Sequence, residues 1–209
     1  MNIIDLYWLV FNTVLNSTLL IVGLLFIYKY KKHPIGYYFT GQFCLQIASI
    51  IFEYLELPTN LYLFSISYYF NYLFLSFYFF KYIFSINKKA YYALLILGCI
   101  PMVLKLLDWD NIKGFEAYDW IVYDAFILIL TFLAIFKLIQ KTQFQKNHLF
   151  ICFGILAFFG LDFSVAFTMN YLVNGTFEIV SWIWIVRALV LYGYFLTLSI
   201  CTWKILKKA

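Results

Sequence analysis

The chain has 209 residues, of which 65% are hydrophobic, 24% aromatic and only 12% charged, with a formal net charge of +5; its mean hydropathy is +0.87. Soluble domains carry about 25% charged residues, so this composition excludes a typical soluble enzyme, a nucleic-acid-binding domain, a disordered chain and a secreted disulfide scaffold. It points to an integral membrane protein.

Apolar runs cover 6–28, 35–57, 61–86, 90–107, 119–140, 148–172 and 178–203. A membrane span must satisfy its own backbone, and continuous runs near 20 residues fit helices rather than barrel strands of about 10 alternating residues. The predicted fold is all-α: one polytopic bundle of seven transmembrane helices filling residues 1–209.

The first run follows Met1–Asp5, which carries no positive charge. It reads as a retained helix rather than a cleaved signal. Pro34 opens the second run, where its missing N–H costs nothing. Along that run Gln42, Gln46, Ser49, Glu53 and Glu56 recur every three or four residues and share one helical face. Such a face either hydrogen-bonds to neighbouring helices or walls a cavity open to the outer side. The third run is dense in aromatics, Tyr68, Tyr69 and Tyr72 among them, and reads as bundle packing or the lining of an apolar pocket. Pro101 is predicted to kink the fourth helix. Trp8, Trp109, Trp120, Trp182 and Trp203 fall near run ends, where interfacial aromatic belts form. Cys44, Cys99, Cys152 and Cys201 lie in four separate runs without metal-binding spacing and are expected to be free buried thiols.

Charge sets the expected orientation. Twelve lysines and no acid occupy the connections after runs one, three and five together with the C-terminus, whereas nine acids and two lysines occupy the other side. Cytoplasmic loops carry the Lys/Arg excess, so the N-terminus is expected outside and the C-terminus cytoplasmic, in a plasma or inner membrane.

Two charges remain, Asp162 and Arg187, equally spaced from the turn Asn174-Gly175. In an antiparallel hairpin equal spacing means equal depth, here about 15 Å at 1.5 Å per residue. They are predicted to pair near the midplane, either as a staple between helices six and seven or as part of a site. Asn16, Gln46 and Asn71 fall at matching depth, and Glu53, Lys105 and Asp124 form a second layer nearer the outer face. These eight residues are the candidate ligand or ion cavity.

His33 and His148 sit beside lysines at run ends, and no zinc, nucleotide-binding or Ser/His/Asp pattern is present. No catalytic residue, metal or cofactor is expected. Seven helices with this orientation resemble, in layout alone, rhodopsins, G-protein-coupled receptors and SWEET-type sugar transporters; the seventh helix has no mid-helix lysine for retinal. The functional expectation is a non-enzymatic membrane protein whose polar, outward-facing cavity binds or translocates a small solute or ion. The alternative is a ligand-binding sensor or accessory subunit acting through a partner membrane or cytoplasmic protein. The expected surroundings are the lipid bilayer, with no nucleic acid.

Overall fold

In the computed structural model the described residues are 3–30, 33–55, 61–84, 88–107, 118–141, 145–168 and 177–207, and they contain helices and no strand. The elements are α1 (Ile3–Lys29), α2 (Pro34–Tyr54), α3 (Leu61–Tyr78) running into a π-helical turn (Phe79–Phe84), α4 (Lys88–Leu107), α5 (Tyr118–Ile139), α6 (Lys146–Phe167) and α7 (Phe177–Leu206).

All but α4 are long and apolar enough to cross a membrane, six helices in total. At most 44% of any spanning stretch is buried inside the protein. The outer faces carry large apolar side chains such as Leu9, Ile21, Phe132, Phe136 and Phe153, an amount of exposed apolar surface that marks a lipid-facing protein. The protein is therefore an integral membrane protein. In α4 the apolar stretch is shorter, Tyr91–Lys105, because Lys88, Lys89 and Lys105 bracket it. At 1.5 Å per residue it reaches about 22 Å, against a hydrocarbon core of about 30 Å.

The chain divides into two compact units, Met1–Ser67 and Tyr68–Ala209. In the first, α1 packs on α2 at a pair of glycines. A Cβ on Gly36 would lie 2.9 Å from the backbone nitrogen of Ile27 and 3.0 Å from the carbonyl oxygen of Gly23. Only small residues allow two membrane helices to approach this closely. The polar face of α2 meets the start of α3: Ser67 Oγ donates to Gln42 Oε1 at 3.3 Å.

In the second unit α5 packs on α4, α6 and the π-helical turn, and α6 packs on α7. The buried face of α5 comprises Trp120, Tyr123, Asp124, Ile127, Thr131, Ala134 and Leu138 with Asp119, the three-and-four spacing of a single helical stripe. Three tyrosines hold α4. Tyr72 donates to Leu94 O at 2.9 Å, and Tyr69 lies 2.7 Å from the thiol of Cys99. Tyr123 donates to Gly98 O at 2.7 Å and accepts the Met102 N–H at 3.2 Å. The Tyr123 hydroxyl thus inserts at the Gly98–Met102 rung beside Pro101, a recognised way for a helix to bend.

Several expectations need correction. Trp120 does not mark an interface: it is buried, and its ring stacks on Tyr68 at 4.8 Å. The sixth helix ends at Phe167, not near 172, with the Thr168 hydroxyl folding back to Ser164 O at 2.9 Å; such local side-chain bonds compete with helix propagation. Of the cysteines, Cys44 is exposed and Cys99 half-buried. His148 points inward, its Nδ1 2.6 Å from the hydroxyl of Tyr78.

Candidate functional site

Helix register brings the site together. Asp162 sits on the buried face of α6 in the sequence Phe158-Phe159-Gly160-Leu161-Asp162, with Phe158 and Phe159 one turn earlier on that face. Arg187 is ten residues into α7 and Asp124 six residues into α5. All three lie toward the end of the bundle where α5 and α7 begin and α6 stops. α6 stops at Phe167, so Asp162 is about 7.5 Å from its end along the axis.

The structure joins Asp162 and Arg187 in an ion pair through Asp162 Oδ1 and Arg187 Nε. The contact is two-pronged: Arg187 Nη2 also donates to Asp162 Oδ2 at 3.2 Å. Tyr68, on α3, closes the ring. Its hydroxyl donates to Asp162 Oδ2 at 2.5 Å and accepts from Arg187 Nη2 at 2.9 Å. A hydroxyl that accepts from the cation and donates to the anion is aligned with both charges. Each bond is charge-assisted, the class that roughly doubles the strength of a neutral hydrogen bond.

Aromatic rings wall the centre. The Arg187 guanidinium lies 5.0 Å from the Trp184 ring and 5.7 Å from Phe158, within cation–π range. Trp120 covers the opposite partner, stacked on Tyr68 with the planes 19° apart. Asp162 is 1% exposed and the Arg187 side chain 15%, so the cation reaches the less enclosed edge of the site.

Asp124 is 0% exposed and stands within coulombic range of Asp162, Arg187 and Asp119. Asp124 is therefore within electrostatic reach of the pair from which the expected layering separated it. Lys105 is buried on α4, its ammonium 4.9 Å over the Tyr118 ring at the start of α5. Asn71 is half-buried on α3.

The remaining candidates belong to the first unit. Gln46 and Ser49 line a cavity of about 60 Å³ with Leu45, Leu63, Phe64 and Ser67. Asn16 on α1 is half-buried, with its side-chain oxygen enclosed. The side chain of Glu53 and the whole of Glu56 lie outside the described residues. Among the described residues no group of three or more His, Cys, Asp or Glu is placed to hold a metal ion.

Tyr68 is a residue of the candidate site that sequence reasoning misses, as is Asp119, buried within coulombic range of Asp124. Tyr68 stands among Tyr62, Tyr69, Phe70 and Tyr72, and nothing in spacing singles it out. Its only signal is a polar tip at a depth where the chain also carries Asp162 and Arg187, and a buried Tyr hydroxyl requires a partner.

No protein-family model matches the chain, no curated protein matches it, and no solved structure matches it. The site's own chemistry therefore carries the functional argument.

Proposed function

We propose that this protein spans the membrane seven times, with its N-terminus outside and its C-terminus cytoplasmic. In this reading it binds or translocates a small solute or ion through a polar cavity that opens outward, in a plasma or inner membrane. One observation carries it: an Arg and two carboxylates buried together among apolar spanning helices. Ionisable groups at such depth are costly, and those that persist mark solute, ion or proton pathways. The lysine excess on one side supports the orientation. Arg187, with its chemically saturated partner on one side and the less enclosed edge on the other, is the group placed to meet a ligand.

The test uses the full chain purified from membranes. Native mass spectrometry reads binding. Liposomes carrying the protein, challenged with gradients of protons, sodium, potassium or chloride, read translocation. Wild type is expected to retain a discrete small mass or to pass current under one gradient. Asp162→Asn and Arg187→Leu are expected to lose that signal while keeping helical circular dichroism. A bare protein that passes none of these ions overturns the reading. A retained second protein in place of a small mass moves it to an accessory subunit.

A further inference from the structure

We propose that Asp124 is a proton-binding site: its carboxyl is held inside the membrane as the neutral acid, beside the Asp162–Arg187–Tyr68 ring. This deepens the reading above and rests on it for the movement of the proton, though not for its binding.

Geometry fixes Asp124 first. It occupies the buried stripe of α5 together with Tyr123, Ile127, Thr131, Ala134 and Leu138. Turning its carboxyl toward lipid or water would expose that whole stripe. The side chain is 0% exposed, and neither of its oxygens has a hydrogen-bond partner. An ionised carboxylate without a partner is one of the most unfavourable groups to bury, and such groups neutralise instead.

Among the described residues, the charged and titratable groups around it leave no cation in reserve. On α6 stands Asp162, on α7 Arg187 and on α5 itself Asp119, all within coulombic range. On α3 the titratable neighbour is Tyr68, whose hydroxyl is committed to Asp162 and Arg187. On α4 the charged group is Lys105, placed over Tyr118, six residues before Asp124. The π-helical turn meets α5 at Lys137, which donates to Phe84 O and lies thirteen residues beyond Asp124. Among the described residues Arg187 is the cation within coulombic range of Asp124, and Asp162 already binds it through two nitrogens. A proton on Asp124 removes the repulsion from Asp162 and Asp119 without recruiting any further group.

The same arrangement supplies a way to move the proton. Asp124 and Asp162 share one cation. If Arg187 turns from Asp162 to Asp124, the proton leaves Asp124 and the carboxylate of Asp162 takes one up. One proton is bound and one released, so the charge of the centre is conserved.

The experiment is infrared spectroscopy of the full chain in liposomes at neutral pH, reading the carbonyl stretch of a protonated carboxyl. Wild type is expected to show one such band in the apolar range, shifted by carbon-13 labelling of aspartate. Asp124→Asn, which preserves shape and neutrality, is expected to lose the band and to keep wild-type thermal stability. Asp162→Asn is expected to retain it. Arg187→Leu is expected to gain a second band from the unpaired Asp162. Absence of a labelled band in wild type overturns the proposal without needing any variant to fold. Persistence of the band in Asp124→Asn overturns it as well. Loss of the band when sodium chloride is added at constant pH does so too, because the site then takes a metal cation. A band at Asp124 in a protein that neither binds nor passes an ion leaves the proton site standing and removes the transport reading.

Discussion

Two polar regions lie on apolar helices in this protein, and they are built differently. In the first unit the face of α2 offers neutral amides and hydroxyls to the start of α3. The bond from Ser67 to Gln42 is long, 3.3 Å, and the cavity of about 60 Å³ beside Gln46 and Ser49 has room for a few waters. In the second unit the groups are charged and the geometry is closed: both oxygens of Asp162 receive donors from Arg187, and Tyr68 bonds to each partner. A neutral amide tolerates loose pairing because little is lost when a bond lengthens. A buried charge does not, since the unsatisfied remainder meets a medium of low dielectric.

The widest gap between the regions is expected on breaking the ion pair. Arg187→Leu leaves Asp162 buried without its cation and is expected to cost about 3–5 kcal/mol of stability, read by thermal or denaturant unfolding in detergent. Asp162→Leu combined with Arg187→Leu is expected to recover a substantial part of that loss, since it removes the orphaned charge. A single variant no less stable than wild type breaks the comparison. Tyr68→Phe comes next. It keeps the stack on Trp120 and removes two bonds to charged partners, for an expected loss of about 1.5–3 kcal/mol. An unchanged melting temperature in this variant means that the ring closes without the hydroxyl.

The charged half of this comparison is more legible in the amino-acid order than the neutral half. Asp162 and Arg187 stand equidistant in sequence from Asn174-Gly175, and that spacing alone predicts the pair that forms. Helix lengths are legible for the same kind of reason, since apolar runs must match the bilayer, and the shortfall of α4 follows from the lysines that bracket it. What sequence spacing does not encode is the rotation of each helix about its axis relative to its neighbours. That rotation selects Tyr68 from among the rings of α3, turns Trp120 inward, and brings Asp124 into range of Asp162 rather than into a separate layer. The end of α6 escapes the sequence too: Val165, Ala166 and Phe167 continue the apolar run, while the hydroxyls of Ser164 and Thr168 turn back on the backbone.

The smallest effect belongs to the neutral pair, and its size tests whether charge or mere polarity organises this protein. Hydrogen bonds between membrane helices average about 0.6 kcal/mol, because the separated helices also find partners. The coupling between Gln42 and Ser67 is therefore expected near that value in a double-mutant cycle of Gln42→Leu and Ser67→Ala, read by unfolding in detergent. Gln42 is only 4% exposed, so burial alone cannot explain a weak result. A coupling as large as that of Tyr68 with Asp162 would make the α2 face a second specific polar centre, held by geometry as strict as the ionic one. A coupling near 0.6 kcal/mol leaves the face adaptable. Its hydroxyls and amides then exchange partners with water at little cost, whereas Asp162, Arg187 and Tyr68 give up their bonds only when another charged group takes the place of the one that leaves.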